Sequence, residues 1–237
     1  MKRKNIDIQR IRFEEIDSTN DYAKMRRGEG KDLLVTAAVQ TGGKGTKGRS
    51  FSSKEGGVYL SKLVFYEDFP AKDAFLVMAG AAVAVCRTLE FFGLSPVIKW
   101  ANDVYVSDKK ICGILIENVF SGNQIFSSLV GIGVNVYNPL PQELSGIATT
   151  MEVETGKRFS VEEVTEKLVE ELEKGADISE YTARVGYMGK KATLLMGEET
   201  KTGKLLSVDE KGGLLAEIDG EVRRLTAAEV SVRFEEK

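Results

Sequence analysis

The sequence predicts a mixed α and β domain followed by a small β-barrel, and three observations carry that expectation. Apolar runs of strand length at 33–39 and 58–65 alternate with a long apolar helix pattern at 71–92. A second, amphipathic helix pattern covers 160–174, opened by the capping box Ser160-Val161-Glu162-Glu163 with Val161, Val164, Leu168 and Leu172 on its apolar face. Beyond a glycine-bounded joint at 186–189, short strand patterns at 191–196, 204–208, 214–218, 221–225 and 230–234 are separated by Gly- or Asp-rich turns, the spacing of a small barrel.

With 237 residues, 42% hydrophobic and 29% charged, the chain can bury a full core and has the length of one large domain with a small one attached, here 1–187 and 188–237. A net charge of −3 and a pI near 5.4 argue against binding nucleic acid by bulk electrostatics. The opening residues lack an apolar signal region, and no apolar run is expected to reach membrane-spanning length free of charge, so a soluble cytoplasmic protein is expected. Cys86 and Cys112 fall in a helix and a strand pattern without a metal-spaced partner, as buried free thiols would. The chain has no histidine, which removes Ser-His-Asp and Cys-His catalysis and most zinc sites. Lysine, carboxylates, backbone amides and a bound cation remain as chemical tools.

Taken in order, 11–16 predicts a strand, and Asp17-Ser18-Thr19-Asn20-Asp21 supplies N-cap chemistry for a helix of about two turns ending at Arg27. Those polar residues either only cap the helix or also bind a polar ligand group. The stretch 40–53 then carries four glycines and three basic residues between Gly42 and Arg49. It joins two strand patterns and lacks the Gly-Lys-Ser/Thr ending of a Walker loop. Close backbone approach and cations suit a phosphate or carboxylate, and a mobile surface connection is the equal alternative.

The 71–92 helix is apolar around most of its circumference, as a helix packed centrally on a sheet would be, and Gly93 ends it. Lys99, Trp100, Asn102 and Asp103 sit between two apolar strands, and Lys110 opens a strand after the turn at 107–109. A lysine there either snorkels or meets an anion. Gly131 and Gly133 alternate on one strand face, leaving space for a ligand or for another backbone.

Four stretches together resemble the biotin protein ligases, or biotin–acetyl-CoA-carboxylase ligases. They are Ser-Thr-Asn at 18–20, Gln-x-x-Gly-x-Gly-x-x-Gly-Arg at 40–49, Lys-Trp-x-Asn-Asp followed by Lys-x-x-Gly at 99–113, and Gly-x-Gly-x-Asn at 131–135. The resemblance implies an α/β (α+β) fold, with a mixed-sheet, class II synthetase-like ligase domain and an SH3-like C-terminal domain. It implies that biotin and MgATP give biotinyl-5′-AMP and pyrophosphate, and that a lysine of a biotin carboxyl carrier protein then takes the biotin. By the same resemblance Ser18, Thr19, Asn20 and Gln40 hold the ureido end of biotin. Gly131 and Gly133 make room for its chain, with Gly45, Thr46 and Gly113 in the same site. Lys44 and Lys110 are the cations assigned to neutralising carboxylate and phosphate, and Asp103 aids transfer. Arg49, Lys99, Trp100, Asn102 and Asn135 form the ATP side. Phe51 stands where the family usually carries tryptophan and keeps apolar cover. Mg²⁺ comes with ATP, and the resemblance leaves its protein ligands open, with Arg49, Lys99, Asn102 and Asn135 facing phosphates, magnesium or adenine.

Many family members carry Arg-Gly-Arg where this chain has Lys44-Gly45-Thr46, so the resemblance implies one cation fewer over the adenylate. Only 17 residues precede Ser18, which the resemblance reads as a monofunctional ligase without a DNA-binding domain. No DNA and no membrane partner is expected, and monomer and homodimer stay open. The alternatives are a lipoate ligase or octanoyl transferase of similar fold, against which Lys-Trp-x-Asn-Asp speaks, and a ligand-sensing or DNA-binding module, for which no basic recognition helix is found.

Overall fold

The structure, a computed structural model, describes residues 2–4 and 7–233. Phe234, expected to end the last strand, lies outside them. The elements run β1 (Lys2–Arg3), β2 (Gln9–Ile16), α1 (Thr19–Met25), β3 (Leu33–Gln40), β4 (Gly57–Asp68) and α2 (Phe75–Phe91). They continue β5 (Val97–Lys99), β6 (Asp103–Val106), β7 (Lys109–Ser121), β8 (Gln124–Asn135), α3 (Met151–Thr155), α4 (Val161–Lys174) and α5 (Ile178–Arg184). Five further strands follow: β9 (Lys191–Met196), β10 (Glu199–Val208), β11 (Leu214–Ile218), β12 (Glu221–Leu225) and β13 (Ser231–Arg233).

The first sheet has the order β2-β3-β4-β8-β7-β6-β5, with β1 paired to β4. Only β2 and β3 run parallel, and the other neighbours are antiparallel, so the sheet is mixed as expected. β9–β13 form a separate antiparallel sheet ordered β12-β11-β10-β9-β13.

One face of the first sheet carries α2, whose Ala79, Ala82, Val83, Val85, Cys86 and Leu89 are completely buried. Each large side chain so buried contributes roughly 1.5–3 kcal/mol. Small residues on α2 let it approach the sheet closely, and α4 and α5 pack beside it, α4 reaching β4 and α5 reaching β5. With the turn before it, Ala71–Phe91 is long and apolar enough to cross a membrane by length and composition, although it carries Lys72, Asp73, Arg87 and Glu90 and so is not a charge-free run. Here it is the core helix. The opposite face of the sheet carries α1 over a smaller cluster of Ala23, Leu33, Val35, Leu63, Phe65 and Leu129. The first sheet therefore has a thick side and a thin side, and the cleft described below opens on the thin one.

Several boundaries differ from expectation. α1 stops at Met25, because Arg26–Glu29 tightens into a 3₁₀ turn that Gly30 closes with a left-handed φ of 66°. α2 starts at Phe75, after Pro70 and a separate 3₁₀ turn at Ala71–Asp73. Gly93 ends it with φ 84°, as expected of the residue after a helix. β10 begins at Glu199 rather than 204, pairing with β9 from its first residue. The short helices α3 and α5 were not expected, although Thr150 and Asp177 cap them through their side chains.

Candidate active site

The site begins at the start of α1. Ser18 Oγ accepts the Asp21 N–H at 3.3 Å, and the cap holds Ser18, Thr19 and Asn20 in buried positions facing the first sheet. Thr19 donates from its backbone N–H and its hydroxyl to Gln40 Oε1, both at 2.9 Å, and Gln40 Nε2 donates to Ser53 Oγ at 2.9 Å. Ser61 Oγ donates to the Asn20 carboxamide oxygen and lies 2.7 Å from Thr19 Oγ1. These residues come from α1, β3, β4 and the loop before β4, so each amide and hydroxyl is oriented by a partner from another element. Capping and site lining are here the same residues.

The floor is made of glycines in register. Gly113 on β7 pairs with Gly133 on β8, and Gly131 pairs with Leu115. A Cβ on Gly131 would stand 2.4 Å from Asn20 Oδ1, and one on Gly133 would stand 2.5 Å from the Phe51 ring. In this structure the alternate glycines thus make room for an amide and an aromatic ring. Over the floor, the 40–53 loop folds back on itself, Phe51 N donating to Gly43 O at 2.9 Å and Gly45 N to Arg49 O at 2.6 Å. A Cβ on Gly43 would lie 2.5 Å from Phe51 O, so the tight fold-back requires glycine there.

Two ammonium groups enter the same cleft from different elements. Lys44 Nζ lies 2.8 and 2.6 Å from the two carboxylate oxygens of Asp21. That hydrogen bond raises the Lys44 pKa above its ordinary value. Lys110 Nζ lies 2.7 Å from Asp103 Oδ1 and over Gly113. Asn102 Nδ2 donates to Asp103 Oδ1 at 3.2 Å and to Ile114 O at 3.0 Å, fixing the turn between β5 and β6. Lys99 is mostly buried, and that burial pulls its pKa down, with Asp103 opposing and Lys110, Arg233 and Arg49 adding to the fall. Positive groups therefore converge around one carboxylate, Asp103. The cleft has a volume of about 40 Å³ and is lined by Ser18, Thr19, Asn20 and Gln40 together with Lys44, Asp103 and Lys110.

The Biotin/lipoate A/B protein ligase family model matches residues 12–135, which include every residue of this cleft. The chain belongs to the biotin/lipoate A/B protein ligase family. It is 31% identical over 217 residues to the bifunctional ligase/repressor BirA of Bacillus subtilis, covering 84% of this chain and 66% of that one, so it spans just under two thirds of that relative. It is 28% identical to the biotin–[acetyl-CoA-carboxylase] ligase of Paracoccus denitrificans, over 90% of this chain and 96% of that one. Among solved structures, the biotin protein ligase of Aquifex aeolicus in complex with biotin and ATP matches with a TM-score of 0.77 and 31% identity, over 96% of this chain and 99% of that one.

Of the residues singled out in the sequence, this ligase-family fold brings Ser18, Thr19, Asn20, Gln40, Lys44, Gly45, Thr46, Phe51, Asn102, Asp103, Lys110, Gly113, Gly131 and Gly133 together around one cleft. Trp100 and Asn135 fall elsewhere. The Trp100 indole is buried and donates to Gly212 O at 3.0 Å, so it ties the Lys-Trp-x-Asn-Asp turn to the second sheet. The Asn135 amide is spent on Thr149 O at 3.1 Å and on Asn138 Nδ2 at 3.1 Å, which holds the end of β8. Arg49 and Lys99 do not line the cleft: Arg49 Nε donates to Thr46 O at 3.3 Å, and Lys99 is acted on by Asp103, Lys110 and Arg49.

Asp21, Ser53 and Ser61 were not singled out and are needed to orient the cleft. Ser61 left a signal: it and Lys62 are the two polar residues inside the apolar run 58–65. Gly131→Ala is expected to push the Asn20 amide off Ser61 and weaken substrate binding at least tenfold, with melting temperature changed by a few degrees at most. Calorimetric titration with biotin checks this, and unchanged affinity would show that Asn20 does not contact the ligand.

Proposed function

We infer that this cleft joins biotin to ATP as biotinyl-5′-AMP, releasing pyrophosphate, and then passes the biotinyl group to a lysine of a biotin carboxyl carrier protein. The observation that carries this reading is that two ammonium groups, Lys44 and Lys110, line the same cleft as a network of oriented amides and hydroxyls. Biotin offers a ureido group for the network and a carboxylate for the ammonium groups. A carboxylate about 4 Å from a phosphate is repelled by roughly 4 kcal/mol at an effective dielectric of 20. Bringing the carboxylate oxygen in line with the α-phosphorus therefore needs cations already in place.

Lys44 and Lys110 each rest on a carboxylate, Asp21 and Asp103, and incoming anions compete for the same ammonium groups. Arg49, Lys99 and Asn102 stand on the triphosphate side, and Phe51 supplies apolar cover over the glycine floor. In the second step a carrier lysine amine attacks the acyl carbon, AMP leaves and the amine sheds a proton, with Asp103 placed to aid that transfer. Among the described residues no group of three or more carboxylates, cysteines or histidines gathers to hold a metal. One carboxylate and one amide, Asp103 and Asn102, suit a Mg²⁺ that is held mainly by the phosphates of ATP and keeps waters.

We also propose that 188–237 form an SH3-like barrel, a second domain whose buried residues continue the core of 1–187. A register shift between Leu205 and Ser207 bends β10, and Leu194, Leu205, Leu214, Ala216 and Ile218 are buried within that sheet.

Measuring which acid supports ATP–pyrophosphate exchange tests the substrate assignment. Exchange is expected with biotin, and exchange with lipoate or octanoate alone would assign the cleft to the other branch of the family. Lys44→Ala is expected to slow the biotin-driven exchange about 10²-fold, as loss of one preorganised charged donor does. A large drop in melting temperature at unchanged rate would make the loop structural instead.

A further inference from the structure

The turn between β10 and β11, residues 209–213, reaches from the second sheet to the motif turn at 99–103. Asp209 builds it. Its Oδ1 accepts the backbone N–H groups of Lys211 and Gly213, both at 2.8 Å, and its Oδ2 takes Arg224 Nε at 2.5 Å. The Asp209 N–H donates to Gly213 O at 2.8 Å and Gly212 N to Asp209 O at 2.9 Å, which closes the turn. Gly212 has a left-handed φ of 76°, and a Cβ there would stand 2.1 Å from the Phe75 ring, so the turn sits against the start of α2 with no room for a side chain.

From that position the turn holds the motif in two ways. Gly212 O accepts the Trp100 indole N–H at 3.0 Å. Phe75 packs edge-on against Tyr181 of α5, ring centroids 5.1 Å apart, and the Tyr181 hydroxyl donates to Ala101 O at 2.9 Å. Trp100, Ala101 and Tyr181 are all buried. The next two residues, Asn102 and Asp103, line the cleft. Asn102 O accepts the Ile114 N–H at 3.0 Å, and the Asn102 amide donates to Ile114 O and to Asp103 Oδ1, on which Lys110 rests. A continuous run of contacts therefore joins a turn of the second sheet to the ammonium group of Lys110.

We propose that Trp100 is a positioning residue of the cleft: the β10–β11 turn, through Gly212 O and the Trp100 indole, sets where Asn102 and Asp103 hold Lys110. The inference rests on the reading of the cleft as an acid-activating site given above. Core packing calls for the Trp100 ring, and the indole N–H aimed at one carbonyl of the other sheet fixes how that ring is turned as well. A charged donor misplaced by about 1 Å can cost a reaction on the order of 10²-fold. The network of Ser18, Thr19, Asn20 and Gln40 is held by other partners, from α1, β3 and β4.

Trp100→Phe keeps a buried ring and removes the donor. It is expected to slow ATP–pyrophosphate exchange about tenfold or more at saturating acid, while the affinity for the acid, by calorimetric titration, stays within about twofold. With Asp103→Ala already present, the same substitution is expected to cost less than about twofold, because the carboxylate it positions is gone. Without any ligand, the Ile114 amide is expected to exchange with deuterium about tenfold faster in Trp100→Phe, and the Thr19 amide, bonded to Gln40, at an unchanged rate. Asp209→Ala, made in the second sheet alone, is expected to repeat these results and serves where Trp100→Phe fails to fold. Pyrophosphate exchange within threefold of wild type, an equal loss with and without Asp103, a parallel loss of acid affinity, or an unchanged Ile114 rate overturns the proposal. Failure of the substrate reading looks different: a wild type driven by lipoate instead of biotin refutes that reading, while the same variants measured on lipoate, with the amide rates, still decide the role of Trp100.

Discussion

Lys110→Ala is expected to lower biotin-dependent ATP–pyrophosphate exchange by about 10²–10³-fold while the chain stays folded. The backbone of Lys110 is held without its side chain: its N–H donates to Ile147 O and its carbonyl accepts from Thr149 N, both at 2.9 Å. What the substitution removes is the ammonium 2.7 Å from Asp103, in a pair whose side chains are 32% and 24% exposed. Such a partly exposed pair contributes at most about 1 kcal/mol to stability. In the proposed reaction the same charge has a larger role, because it stands between two anions that repel each other. Exchange measured alongside melting temperature separates the two effects. Exchange within threefold of wild type, or loss of the fold, would contradict the role given to Lys110.

The second large effect concerns retention of the intermediate. Biotinyl-5′-AMP is a mixed anhydride that reacts with any amine it meets once it leaves the cleft. The resemblance to the biotin ligases places an arginine at the position of Thr46, a residue that lines this cleft. The neighbouring lysine does not replace the missing charge. Lys47 takes a left-handed conformation, φ 56° and ψ 38°, and its ammonium donates to Ser231 Oγ at 2.9 Å and Val230 O at 3.3 Å in the second sheet. Restoring an arginine would add a charge-assisted hydrogen bond, and at 1.4 kcal/mol for each tenfold such a bond slows escape by about tenfold or more. Thr46→Arg is therefore expected to reduce labelling of bystander lysines about tenfold when biotin and ATP are supplied without carrier. Lys47→Ala should leave labelling unchanged. Equal labelling by wild type and Thr46→Arg would mean that another group already closes the site.

The motif residues were legible in combination: types and spacing alone left the glycine loop between anion site and surface connection and Lys110 between snorkelling and meeting an anion, and the resemblance to the biotin protein ligases supplied the roles of Lys44, Lys110 and Gly113. What the sequence could not show is which face each residue turns to and what meets it there. Asp21 and Asp103, the carboxylates on which the two lysines rest, are 23 and 7 positions away from their partners in the chain, and the folding of the glycine loop over α1 sets the first of those contacts. Trp100 and Asn135 share motifs with cleft residues, yet their hydrogen-bonding groups are committed to Gly212 and Thr149. The contact of Lys62 with Glu173 spans 111 residues and exists only because α4 lies across β4. Short helices escaped for a different reason: α3 and α5 have 5 and 7 residues, too few to show a helical period, and only their caps announce them.

Incubating the protein with biotin, ATP, Mg²⁺ and an isolated biotin carboxyl carrier domain, and measuring the intact mass of that domain, tests the central claim most directly. The account predicts a mass increase of one biotinyl group on one lysine, dependent on ATP and absent when Lys110 is alanine. An unchanged carrier mass, with the same carrier labelled by a known biotin ligase in a parallel reaction, would contradict it.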